Sequence, residues 1–266
     1  MAKQGLYRGN RDFGLRIASG ELPQYSIVNK FGRNSAVSTS FVPICEGGKW
    51  QTPQAGSATT LRIKAGGNAN DTAAGTGGRA VTLQGLDATG ALIEDTITTN
   101  GESAGTASTK SFMRLFRAKM DSSGSYATVT ALSGSHDAAI TIENGAGGTD
   151  WATIYATDVA RSQSQIGCYS VPLEKKAFLT NLRITNDSNK VVDVLMFQRQ
   201  NILQTAAPYS GMRLVQEFSG ITAPVDPPTF FCPPPFPALT DIIFLAKVST
   251  GTAAVTIEFD LILEDA

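Results

Sequence analysis

The sequence predicts an all-β protein of two sandwich-like or jelly-roll-like domains with an extended N-terminal arm. Three observations carry that prediction. Many short segments alternate apolar and polar residues with a period of two, the cleanest being Ala254–Leu263, and that period lays one face of a strand on a core. Between these segments lie clusters of Gly, Asn, Asp, Ser and Thr, the residues that reverse a chain at low conformational cost, and 26 glycines are present in all. Helical spacing is weak almost everywhere, and the best helix candidate is the single stretch Thr153–Gln163. With 266 residues the chain is long enough for two cores of ordinary size.

The elements follow in order. Residues 1–26 hold Tyr7, Phe13, Leu15, Ile17 and Leu22 without a sustained period, and read as an arm. A first domain is expected over 27–160, opening with a strand at Ser26–Asn34, with further strands at Phe41–Cys45 and Leu61–Lys64. Residues 65–78 are almost all small or polar and read as a surface loop. A β-meander follows: Arg79–Gln84, a turn at Gly85–Gly90, Ala91–Thr98, a reversal at Asn100–Gly101, then Ser111–Met120. Tyr126–Leu132 and Ala139–Glu143 continue the pattern, and Asn144–Gly148 is a second glycine loop. A second domain is expected over 161–266, with strands at Ile166–Val171, Ala177–Thr185, Val191–Gln198, Met212–Phe218, Asp241–Val248 and Ala254–Leu263. It contains a proline-rich loop, 223–237, which lacks the amide donors a ladder needs.

Little in the chain points to catalysis. The only histidine, His136, lies in Ser133–Asp137 and reads as an exposed turn; a nucleophilic triad cannot be built from three adjacent turn residues. Glu94 and Asp95 are neighbours on a strand and point to opposite faces, which rules out a shared glycosidic bond. Gly75–Gly78 lacks the Lys-Ser/Thr ending and following helix of a phosphate loop. Cys45, Cys168 and Cys232 are widely spaced and read as buried, reduced thiols rather than a disulfide framework or zinc site. No enzyme activity, cofactor or metal is expected. A net charge of -1 favours neither nucleic acid nor an anionic membrane as partner. The first residues carry no apolar block and no apolar run reaches about 20 residues, so synthesis and folding in a cytoplasm are expected. Trp50 and Trp151 read as core or loop anchors, with sugar stacking as the alternative.

The residues also carry a resemblance. Asn29-x-Phe31-Gly32-x-Asn34, Asn70-Asp71-Thr72-x-x-Gly75-Thr76-Gly77-Gly78, Val81-x-Leu83-x-Gly85-Leu86-Asp87, Phe112-x-Arg114-x-x-Arg117-Ala118 and Gln165-Ile166-x-x-Tyr169-x-Val171-Pro172 resemble virion structural proteins of tailed, cyanophage-like bacteriophages. The resemblance spans roughly residues 27 to 200 and involves turn and strand residues only. It implies a non-enzymatic virion component assembled in the host bacterial cytoplasm, with the major capsid protein or other virion proteins as partners and a homo-oligomeric state, trimer or dimer. A capsid decoration (cement) role is the preferred reading, since the chain has no heptads or repeats of a fibre. A neck, tail or head-fibre accessory is the alternative, and a receptor-binding or carbohydrate-binding module is a further one. Two stretches are candidate interfaces: the arm, through Tyr7, Arg8, Arg11, Phe13, Leu15, Arg16 and Ile17, and the proline-rich loop, through Phe230, Phe231 and Phe236. The plainer readings are an arm folded back on its own domain and a loop that caps its own sandwich.

Overall fold

A computed structural model describes residues 10–50, 58–127, 135–156, 160–225 and 233–266, with side chains from residue 13 onward. The protein is almost entirely β. Among the described residues one α-helix, α1 (Asn10–Ala18), is followed by β1 (Tyr25–Val37), β2 (Val42–Pro43), a single 3-10 turn at Glu46–Gly48, β3 (Thr59–Ile63), β4 (Gly78–Leu86), β5 (Leu92–Thr98), β6 (Ser111–Phe112), β7 (Arg114–Ser123), β8 (Ile140–Asn144) and β9 (Asp150–Ile154). The C-terminal half adds β10 (Tyr169–Ser170), β11 (Lys175–Asn186), β12 (Val192–Arg199), β13 (Arg213–Ile221), β14 (Pro235–Phe236), β15 (Asp241–Val248) and β16 (Ala253–Asp265).

Four sheets enclose two cores. An outer sheet, ordered β1-β16-β11-β14, faces a middle sheet, β10-β15-β12-β13 with β2 added beside β15. Their facing side chains form the first core: Val255, Ile257, Phe259, Leu261 and Leu263 from β16 meet Val192, Val194 and Met196 from β12 and Phe244 and Ala246 from β15. Every second residue on these strands contributes, which is the period-two pattern put to use. The second core is closed by sheets β6-β3-β8-β9 and β5-β4-β7, through Leu61, Val81, Leu83, Leu115, Ile142 and Ile154. Ile243 and Leu245 also pack there, whereas their neighbours Ile242, Phe244 and Ala246 pack in the first core. Strand β15 is therefore apolar on both faces because it lies between two cores, as strands covered on both sides do.

The first strand has an unexpected partner. β1 pairs antiparallel with β16, Tyr25 opposite Glu264 and Val28 opposite Leu261, and β2 pairs with β15. β1 and β16 thus share one sheet, and residues 59–154, which build most of the second core, lie between them in sequence. At the crossover the backbones come very close: a Cβ on Gly32 would stand 2.1 Å from the Gly167 nitrogen, so a side chain there has no room.

A buried ion pair ties the two parts together. Arg114 on β7 donates from Nε to Asp241 Oδ1 at 3.0 Å and from Nη2 to Asp241 Oδ2 at 2.9 Å, and both side chains are fully buried. Nη1 donates to the Met113 carbonyl, and the Ser170 hydroxyl donates to Asp241 Oδ1. Paired and hydrogen-bonded in this way, the two charges are tolerable in a low-dielectric site.

Three local expectations need correction. The helix candidate at Thr153–Gln163 is absent: Ile154 ends β9, and the described residues 155–156 and 160–163 contain no helix. His136 is buried rather than exposed, with Nδ1 donating to the Ala138 carbonyl and Nε2 accepting from the Ser162 amide. The reason lies next to it, where the buried Asp71 carboxylate accepts from the amides of Gly78, Asp137 and Ala138 and pins the 135–138 turn to the glycine loop. The proline segment also joins a ladder: Phe236 pairs with Ala177 at the sheet edge, and Val225 bridges Ile184, so both its described ends are fixed to β11. An edge position needs no inward amide from Pro235, which is why proline fits there. The expected strand at Tyr126–Leu132 lies mostly outside the described residues.

Candidate functional site

The expected arm is a helix where it is described. Over Asn10–Ala18 the spacing of Phe13 and Ile17 places both on one side, and Phe13 meets the Tyr25 ring edge-on at 5.3 Å between centroids. The helix is stopped by Gly20 at φ 76°, with the Gly20 amide on the Ile17 carbonyl and the Glu21 amide on the Arg16 carbonyl, both at 2.9 Å. This paired cap needs a left-handed residue, and glycine supplies it. The extended conformation is therefore corrected for these residues. Ile17 is buried within the chain, Arg16 pairs with Glu21 on the surface, and Leu15 stands 67% exposed. Arg11 lies in the helix, and Tyr7 and Arg8 lie outside the described residues.

Of the proline-loop candidates, Phe236 is 1% exposed and belongs to the first core, so its side chain is corrected from interface to core. Phe230 and Phe231 lie outside the described residues.

What the structure does present is an apolar row on the solvent side of the outer sheet. Ile27 on β1 is opposite Ile262 on β16, Ile262 is opposite Phe178 on β11, and Phe178 is opposite Pro235 on β14. Ile27 and Pro235 are exposed, and Ile262 and Phe178 are half-buried. Lys176 lies over the Phe178 ring, 4.9 Å from its centroid, and Phe31 continues the exposed side of β1. Cross-strand pairing aligns these side chains, although each sits at the polar phase of its own strand.

Beside the row a cavity of about 510 Å³ opens between β1 and strands β4, β5 and β7, with Leu92 on its rim, 60% exposed. At its inner wall Lys30 is 5% exposed and donates from Nζ to the Phe116 carbonyl. Burial, with the nearby Arg117 guanidinium second, pushes its pKa down to about 7. Arg117 itself donates to the Asn29 carbonyl at 2.9 Å. Glu46 is the matching acid at the crossover: its carboxylate accepts from the Gln165 amide at 3.1 Å, and burial pushes its pKa up to about 7. The sequence carries a signal for Arg114, a charged residue set between the buried apolar Met113 and Leu115; Lys30, between exposed Asn29 and Phe31, carries none.

Among the described residues no group of three or more His, Cys, Asp or Glu side chains is placed to hold a metal ion. Trp151 is buried in the second core, and Trp50 is half-buried and packs against both cores. Comparison with protein-family models, curated proteins and solved structures finds no match for this chain.

Proposed function

We propose that the protein is a non-enzymatic structural component of a tailed-phage particle, a decoration protein that lies on the outside of the capsid shell and joins neighbouring subunits. The observation that carries this reading is the apolar row Ile27–Ile262–Phe178–Pro235 across the outer sheet, with Leu15 and Leu92 exposed close to the same strand. An aligned apolar strip on an otherwise well-packed body is the mark of a surface that another protein covers. The resemblance over residues 27–200 supplies the class of partner: the major capsid protein, other virion proteins and further copies of this chain, as dimer or trimer, assembled in the host cytoplasm.

Copy number in purified particles tests the proposal. On the order of hundreds per particle is expected of a shell component that follows capsid symmetry. About a dozen would move the protein to the neck or tail, and complete absence from particles would end the reading. The paired substitution Ile27→Ser and Phe178→Ser is expected to leave the circular dichroism spectrum unchanged while abolishing incorporation.

A further inference from the structure

We propose that Cys45 and Cys168 form a latent disulfide site, which low-molecular-weight disulfides such as oxidised glutathione convert into a covalent clamp across the neck of the inserted unit. Both cysteines are free and buried, and their sulfurs lie 3.7 Å apart. The segments that carry them run side by side, with the Gly167 amide on the Ile44 carbonyl and the Glu46 amide on the Gln165 carbonyl, each at 3.0 Å. Cys45 itself bridges Ile166. Closing to a disulfide of about 2.05 Å takes less than 2 Å of movement, within reach of side-chain rotation and a small adjustment of a two-stranded crossing.

The position gives the bond its meaning. Cys45 is where the chain leaves the outer sandwich and Cys168 is where it returns, 123 residues later in sequence, and β3 to β9 lie entirely between them. A link here closes one long loop around the whole inserted unit, and long loops lose the most unfolded-state freedom when cross-linked.

The chemistry is ordinary exchange. One thiolate attacks the small disulfide, forming a mixed disulfide and expelling one small thiolate. The second protein thiolate then attacks the protein sulfur of that mixed bond, forming Cys45–Cys168 and expelling the other. Two protein thiols are oxidised, one small disulfide is reduced to two thiols, and the two protons go to those thiols. Burial holds the Cys168 thiol well above its usual pKa, so the closed native state reacts slowly and exchange proceeds while the neck is open, during folding above all.

The test uses the full chain with Cys232→Ser, refolded with oxidised glutathione. Expected results are a mass lower by about 2 Da than the reduced protein, a cross-linked Cys45–Cys168 peptide, loss of thiol titration in denaturant, and a melting temperature higher by roughly 5 °C or more that dithiothreitol reverses. Adding Cys45→Ser should make the melting temperature insensitive to glutathione. If refolding in oxidant precipitates the protein, prolonged incubation of the native reduced chain with oxidised glutathione decides by the same readouts. Two thiols that still titrate, a retained glutathione adduct, or a bond that lowers the melting temperature would each overturn the proposal.

Discussion

Arg114 and Lys30 are both cations buried where β7 meets the outer sandwich, and they are held in opposite ways. Arg114 meets a carboxylate through two parallel hydrogen bonds and is fixed further by the Met113 carbonyl. Lys30 has the Phe116 carbonyl as its hydrogen-bond partner and a second cation, Arg117, close by. One site ties β7 to β15 through a carboxylate buried beside the cation. The other, joining β7 to β1, changes its charge near neutrality. The same junction is thus fixed on one side and adjustable on the other, and a buried charge is a lock only when its counter-charge is buried with it.

The largest effect should come from breaking the lock. Asp241→Ala leaves a guanidinium in a closed core and is expected to cost about 3–5 kcal/mol in urea unfolding. Replacing both partners, Asp241→Leu with Arg114→Met, should recover most of that loss, because an apolar pair removes the desolvation problem as well as the bond. If the double variant is no better than the single one, the pair is the source of stability and the comparison with Lys30 fails.

The pH profile is the next way to separate the two. Lys30 binds its proton less readily folded than unfolded, so between pH 7 and its ordinary 10.5 the unfolded chain holds the extra proton. Stability therefore rises with pH across that window, by at most about 1.4 kcal/mol per unit. Glu46 does the reverse: between its ordinary 4.5 and 7 the folded state holds the extra proton, and stability falls as pH rises. Together they predict a minimum of stability near pH 7, measurable as melting temperature. Lys30→Met should flatten the upper limb and Glu46→Gln the lower one.

The smallest effect sharpens the cause. Arg117→Gln removes the neighbouring positive charge, so the Lys30 pKa should rise and the upper limb should start at higher pH, with only a modest change in its depth. An unmoved limb would mean that burial alone sets the Lys30 proton affinity.

Much of this architecture is legible in the sequence wherever neighbours in the chain are neighbours in space. The β4-β5 hairpin can be read from its alternation and from Asp87, whose carboxylate accepts from the Thr89 and Ala91 amides. The inward row of β16 can be read from Val255 to Leu263. The partner of β1 cannot, because a strand's period tells which face is buried and nothing of which edge it meets. His136 and Asp71 look like turn residues locally, and only a pairing across more than sixty positions makes them interior. The helix cap at Gly20 was present as a signal, with Phe13 and Ile17 four apart before it, but the segment is too short to show more than one turn of repeat. The exposed row across the outer sheet is invisible in any single strand, since each strand contributes one side chain to it.

The β1–β16 pairing has a consequence for the order in which the protein is made. Residues 59–154 emerge from the ribosome with most of their strand partners already present, so the meander and its neighbours can pair while later residues are still being added. The outer sheet has no such option. β1 leaves the ribosome more than 200 residues ahead of its partner and waits, its edge unsatisfied, until residues 253–265 appear. During that interval β1 is open to wrong partners, and among the described strand pairings its closure joins the residues farthest apart in sequence.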